Sequence, residues 1–225
     1  MNPSSQQELG RQRELTPAYF RLAVHLIRPF PNFDLWFMKS LRRKAVEKLQ
    51  LKAGDRVLDG GCGPGGSFPY LVSAVGSSGE VVGVEISPEV AINAQRRIAA
   101  RGWNNVRLIV GNAETVAVEG RFQGMVFFGA PDCYASPRAL DNLIPHLGDG
   151  ARVVLFGGKL SRHPVIRTFN SLWGKAFSRA TFASTPQLDY EPWALLAQRL
   201  GRFEVREYFF GIFFLAWGPV AEGAE

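Results

Sequence analysis

The sequence predicts an α/β protein: a doubly wound, mostly parallel sheet of seven strands that ends in a C-terminal antiparallel hairpin. Three observations carry this prediction. Five short β-like runs alternate with helical or turn-rich segments, the rhythm of parallel strands joined by crossovers. A glycine-rich stretch follows the first run directly. Two further β-rich runs lie close together near the C-terminus, too close for a crossover.

The elements follow in order. Leu41, Ala45, Val46 and Leu49 recur every three or four residues, so Leu35 to Leu51 is expected to be a helix with one apolar face, ended at Ala53-Gly54-Asp55. Arg56 to Gly60 is the first strand, and Leu71 and Val75 mark the helix beyond the glycines. The next four strands are expected at Val81–Ile86, Val106–Val110, Met125–Phe128 and Val153–Phe156. Pro88 to Arg101 reads as a helix with Ser87 as its N-cap, because the missing proline N–H falls where a helix has no use for one. Phe203–Tyr208 and Ile212–Trp217 form the closing hairpin around Gly211.

At 225 residues, with 46% hydrophobic and 20% charged side chains, the chain suits one packed core rather than a disordered or fibrous protein. The two cysteines, Cys62 and Cys133, belong to no CxxC pair or ligand cluster, which argues against a disulfide framework or a metal site and for a reducing, cytoplasmic setting. Charged residues interrupt the early apolar segment at Arg21, Arg28 and Asp34, so a membrane-spanning helix is not expected. Net charge is +6, compatible with nucleic acid, an anionic membrane face or an acidic small molecule. Its one local cluster, Lys39, Arg42, Arg43, Lys44 and Lys48, reads as a solvated helix face or as a contact with a membrane or acidic partner.

Asp59-Gly60-Gly61-Cys62-Gly63-Pro64-Gly65-Gly66 lies between strand and helix, where an open α/β sheet binds its ligand. Without Cβ atoms the backbone can approach a bound molecule closely, and the following helix offers unpaired N–H groups. Gly61, Gly63 and Gly66 also satisfy the GxGxxG dinucleotide pattern, with Glu85 positioned for a ribose, so a nicotinamide-dependent oxidoreductase stays open at this level.

The run Val57-Leu58-Asp59-Gly60-Gly61-Cys62-Gly63-Pro64-Gly65 resembles the first motif of the class I S-adenosylmethionine-dependent methyltransferases, with Asp59, Gly61, Gly63 and Gly65 in the motif places. Val81 to Ser87 resembles the second motif, whose acidic residue holds the ribose hydroxyls. The resemblance implies a Rossmann-like fold, S-adenosylmethionine as cofactor, Glu85 on the ribose, Ile86 against adenine, Asn112 and Ala113 at the adenine edge, and Phe128, in the fourth-strand segment, among the cofactor-binding residues. Asn112 and Gln123 stand where aspartate is commoner in the family. Cys62 is read as a small packing residue.

Methyl transfer needs alignment and exclusion of water more than acid–base machinery. Asp132, Tyr134 and His163 are the candidate catalytic residues, with His25 and Tyr190 as weaker choices. Ala130-Pro131-Asp132-Cys133 is not the motif of amino methyltransferases acting on nucleic-acid bases, which argues against a nucleic-acid acceptor. Residues 1–40 are expected to form an aromatic, helical cap over the site and 41–225 the cofactor-binding domain, with a substrate-side insertion at about 159–187. The aromatic cap and basic helix point to a small-molecule or lipid-like acceptor and to peripheral membrane contact. A noncatalytic cofactor-binding protein is the other alternative.

Overall fold

The computed structural model describes residues 36–168, 189–200 and 202–220. Helix α1 (Trp36–Leu49) leads into strand β1 (Arg56–Gly60), followed by α2 (Phe68–Val75), β2 (Glu80–Glu85), α3 (Pro88–Arg101), β3 (Val106–Val110) and β4 (Phe122–Phe128). Beyond it come α4 (Pro131–Tyr134), α5 (Pro137–Leu143), a 3-10 turn (Ile144–His146), β5 (Leu147–Gly158), α6 (Ala194–Leu200), β6 (Glu204–Tyr208) and β7 (Phe213–Pro219). The seven strands form one sheet in the order β3-β2-β1-β4-β5-β7-β6. Strands β1 to β5 pair in parallel, and β7 runs antiparallel to both β5 and β6. The expected doubly wound architecture is what the chain adopts, and the order reverses between β1 and β4, where such sheets open a ligand crevice.

Alternation along the central strands builds two cores. Leu58, Met125, Phe127, Val153, Leu155 and Phe214 face the side covered by α5 and α6. Val57, Val126, Phe128, Val154, Phe156, Leu215 and Trp217 face the side covered by α1 and α2. A strand of period two buried on both faces supplies side chains to each layer, which is why the sequence shows continuous apolar runs there. The outer strand β6 is mostly exposed and carries Glu204, Arg206 and Glu207, charges that discourage edge-to-edge pairing.

Ser87 caps α3 as expected, its Oγ accepting from the Val90 N–H at 3.3 Å. Strand β5 begins six residues before the expected Val153, and β4 three before Met125. Gly124 looks like a turn residue in sequence but pairs with Arg152, whereas Gly148, Asp149 and Gly150 fall in the irregularity between the Phe122–Leu147 and Gly124–Arg152 pairs, where the register shifts. Among the described residues, no helix is long and apolar enough to cross a membrane, and no group of side chains is arranged to hold a metal ion.

The basic cluster is divided up rather than left as one solvated face. Arg42 is buried, Arg43 pairs with Glu47 at 3.8 Å, and the Lys44 and Lys48 ammonium groups lie 5.5 Å and 4.1 Å from the ring centres of Tyr208 and Trp217. Residues 1–35 of the expected cap, including His25, and residues 169–187 of the expected insertion lie outside the described residues.

Candidate functional site

Strand β1 ends at Gly60, and the chain turns at once because Gly61 takes a φ of +73°. A Cβ on Gly61 would stand 2.5 Å from Ala130 Cβ, so glycine is needed both for the turn and for the close approach of the chain after β4. The Gly61 and Cys62 N–H groups both donate to the Val84 carbonyl at 2.9 Å, which pins the loop to β2. Gly63 also has positive φ, +56°, but a Cβ there would meet nothing within 4 Å, so it borders open space.

Glu85, at the end of β2, faces this loop. Its Oε2 accepts from the Gly63 N–H at 2.9 Å and its Oε1 from the Ser87 N–H at 2.8 Å. The carboxylate therefore ties the glycine loop to the start of α3, and its remaining lone pairs can still accept from a ligand. Burial is the largest influence on Glu85 and raises its pKa to about 7; the two backbone N–H groups oppose this, and nearby Asp132 and Asp59 add to it.

Asp59 is more unusual. It is buried at the end of β1, and neither carboxylate oxygen has a hydrogen-bond partner among the described residues. Burial lifts its pKa to about 7, while the Arg42 guanidinium and the Ser67 hydroxyl pull it down only in part. A buried carboxylate without a partner is costly, and its presence beside an open glycine turn marks a place that awaits a donor or cation. Arg42 lies nearby, donating to Ser67 Oγ at 2.8 Å with its guanidinium carbon 4.0 Å from the centre of the Phe128 ring.

The other predicted residues divide by location. Ile86 is half-buried just beyond Glu85. The Asn112 Oδ1 accepts from the Glu114 N–H at 2.9 Å, closing a local turn after β3, while Ala113 is buried and its carbonyl accepts from Asn142 Nδ2 at 3.0 Å. Glu114 itself accepts from the Ser136 hydroxyl at 2.6 Å. Phe128 is buried in a stack, 4.3 Å from Phe156 and beneath Arg42. Asp132 sits in the first turn of α4, on the Glu85 side. Tyr134 is packed in the core edge-on to Phe127 and Phe214, and burial raises the pKa of its hydroxyl. His163 is exposed beyond β5, its N–H donating to Ser161 Oγ at 3.1 Å. Tyr190 accepts from Arg167 at 3.3 Å. Cys62 and Cys133 are buried, with burial raising both thiols well above their ordinary range, which keeps them protonated.

Sequence reasoning singled out Arg42 only as one member of a basic cluster. The available signal was its register: Arg42, Ala45, Val46 and Leu49 share one helical stripe, which puts the arginine on the buried face. Ser67 and the fully buried Lys159, which donates to Glu207 at 2.8 Å, left no signal of comparable strength.

A methyltransferase-domain family model matches residues 57–150, from β1 into β5. The aklanonic acid methyltransferase DauC of Streptomyces sp. (strain C5) is 31% identical over 162 residues, covering 72% of this chain and 70% of that protein. The chain belongs to the class I S-adenosylmethionine-dependent methyltransferases. A second methyltransferase relative, the demethylmenaquinone methyltransferase of Shouchella clausii (strain KSM-K16), is 28% identical over 145 residues, 63% of this chain and 60% of that protein. The fold matches the crystal structure of a SAM dependent methyltransferase from Aquifex aeolicus at a TM-score of 0.59 and 16% identity, over 95% of this chain and 98% of that one.

This methyltransferase therefore uses S-adenosylmethionine, and the oxidoreductase and noncatalytic alternatives find no support in these relatives. Its own residues fit the cofactor. A ligand with a vicinal diol, an ammonium and a sulfonium suits a crevice bordered by the acceptor atoms of Glu85, the unpartnered carboxylate of Asp59 and the open turn at Gly63.

Proposed function

We propose that this methyltransferase acts on a small-molecule or lipid-like acceptor at oxygen or nitrogen. The observation that carries the cofactor half of this reading is the buried, unpartnered Asp59 carboxylate beside Glu85 and Gly63. Relatives named for aklanonic acid and demethylmenaquinone support a small-molecule acceptor.

In this reading Glu85 accepts from the ribose hydroxyls while still holding Gly63 and Ser87. Asp59 faces the cationic end of the cofactor, Ile86, Asn112 and Ala113 border the adenine, and Gly61, Gly63 and Gly65 keep the loop backbone close. When bound, the cofactor supplies a methyl group on a sulfonium, to which the acceptor's lone pair forms a bond as the carbon–sulfur pair returns to sulfur. The protein's task is to align the two and exclude water. Phe128 and Phe156 provide an apolar wall at the ends of β4 and β5. Asp132, on the first turn after β4, accepts the proton that the acceptor loses. Tyr134, held protonated in the core, shapes the floor, and His163 lies on the rim beyond β5.

The test is calorimetric titration with S-adenosylmethionine and its demethylated product, for the native protein and Glu85→Gln. The neutral amide turns one oxygen into a donor facing a backbone N–H, and loss of a charged acceptor costs about 2 kcal/mol, some thirtyfold in affinity. Unchanged affinity in a folded Glu85→Gln protein would remove Glu85 from the cofactor site. A screen of labelled methyl transfer into hydroxylated aromatics, amines and phospholipids then tests the acceptor class, and turnover confined to nucleic acid or protein would overturn it.

A further inference from the structure

The β6–β7 hairpin ends at the same edge of the sheet as the glycine loop, because β6 runs parallel to β5 and closes at its carboxyl end. Its tip is built from residues ill suited to the backbone they adopt. Phe209 and Phe210 have φ of +52° and +56°, and Gly211 follows at +76°. Only the last is a residue that takes this conformation freely. The turn is nonetheless firmly held: Gly211 and Ile212 donate to the carbonyls of Tyr208 and Phe209 at 3.1 and 3.2 Å, Ser161 Oγ donates to the Phe210 carbonyl at 2.6 Å, and the Lys159 N–H donates to Ile212 at 2.8 Å.

The conformation throws aromatic surface outward. Phe210 is 82% exposed and Phe209 48%, although Phe209 keeps an edge contact with Phe213 at 6.0 Å. A strained aromatic pair at a loop tip contributes little to the core, and strain retained by surrounding hydrogen bonds points to a use for the exposed rings. Beside them, the Lys44 ammonium and the Arg206 guanidinium lie 5.5 Å and 5.6 Å from the centre of the Tyr208 ring, one residue before the tip. Two aromatic rings, a tyrosine and two cations on long apolar stems are the composition of an interfacial anchor: rings enter the acyl boundary while the cations stay with the headgroups.

We infer that the Phe209–Phe210 tip, flanked by Lys44 and Arg206, docks the protein on an anionic phospholipid surface with the catalytic edge of the sheet turned toward the bilayer. The inference builds on the reading of the acceptor as lipid-like and adds where that acceptor is met. Size favours a bilayer over a protein partner. Two phenyl rings expose on the order of 300–400 Å² when fully bared, well short of the roughly 800 Å² per partner of a stable protein interface. Interfacial binding instead sums a small apolar insertion with attraction to anionic lipid, and the net charge of +6 supplies that attraction.

The experiment is co-sedimentation of the full chain with vesicles of phosphatidylcholine alone and of phosphatidylcholine with phosphatidylglycerol, with Phe209→Asn/Phe210→Gly as the variant. Asn-Gly suits a left-handed turn, so this change preserves the hairpin and raises or maintains Tm while removing the rings. The native protein is expected to bind the anionic vesicles, less so at high salt, and the double variant to lose at least tenfold in binding while keeping its affinity for S-adenosylmethionine. Lys44→Gln with Arg206→Gln is expected to weaken the preference for anionic vesicles. Equal vesicle binding by native and double-variant proteins overturns the inference, as does absence of native binding. A native dimer that the double variant converts to monomer overturns it in favour of self-association. Vesicle binding is read without turnover, so its failure alongside methylation of a lipid acceptor in detergent sinks only the docking, whereas vesicle binding with turnover confined to water-soluble acceptors sinks only the acceptor reading.

Discussion

Arg42 Nη1 donates to Ser67 Oγ at 2.8 Å, and this bond diverts the serine from the role its position suggests. Ser67 precedes α2 as its N-cap, yet its side chain makes no capping bond. Capping is worth about 1 kcal/mol, and the hydroxyl is instead committed to a buried guanidinium that also lies over Phe128. The arginine supplies positive charge beside Asp59, which otherwise sits buried without a partner.

Replacing Arg42 by methionine, which keeps most of the apolar stem, is therefore expected to push the Asp59 pKa higher and to weaken S-adenosylmethionine binding at neutral pH. Leaving Asp59 in a buried site without its nearest cation should also cost about 3 kcal/mol of stability. Urea unfolding and calorimetry read the two effects separately. Arg42→Lys should recover part of the affinity by restoring the charge, though not the planar stack on Phe128. If Arg42→Met binds the cofactor as the native protein does at every pH, the arginine serves packing alone.

Much of this site was legible because its determinants are local. Strand β1, the glycine turn, Glu85 and the Ser87 cap fall within a short stretch in which each residue type answers a backbone requirement. Arg42 was harder to place, since it reaches Ser67 across twenty-five positions and sits among other basic residues. The early part of β5 was hidden for another reason: Gly148, Asp149 and Gly150 have turn chemistry and bulge between the Phe122–Leu147 and Gly124–Arg152 pairs, so only Leu147 marks the start of the strand. Tyr134 was a catalytic candidate from its place after the fourth strand, but it packs into the core in a close fit against Gly157, where a Cβ would stand 2.3 Å from its hydroxyl.

The raised carboxylates set a pH dependence. Asp59 and Glu85 have ordinary values of 3.8 and 4.5 and are lifted to about 7 in the folded protein. Between those limits the folded state holds more protons than the unfolded chain, so stability falls as pH rises through this window. The cofactor-free protein is thus expected to lose stability from these two groups between about pH 4 and pH 7. A cationic ligand favours the ionised carboxylates, so cofactor affinity should rise over the same range and level off above it, with proton release on binding at pH 6. Thermal melts with and without S-adenosylmethionine, plus calorimetry in buffers of different ionisation enthalpy, measure both. Affinity that does not change with pH would mean that neither carboxylate changes protonation on binding.

Gly61 and Gly63 share positive φ but differ in what surrounds them, and alanine at each should separate folding from binding. At Gly61 a Cβ meets Ala130 Cβ at 2.5 Å and Cys133 Sγ at 3.3 Å, so Gly61→Ala adds a clash to backbone strain. Overpacking and left-handed strain together predict a loss of about 3 kcal/mol. At Gly63 nothing lies within 4 Å, so Gly63→Ala carries only the strain, about 1 kcal/mol. Its methyl, however, would occupy the open space beside the turn whose N–H is held by Glu85 Oε2. Gly63→Ala is expected to fold nearly as well as the native chain while losing at least tenfold in cofactor affinity, and Gly61→Ala to lose stability first. Should Gly63→Ala bind the cofactor at native strength, the open space beside that turn is not where S-adenosylmethionine lies.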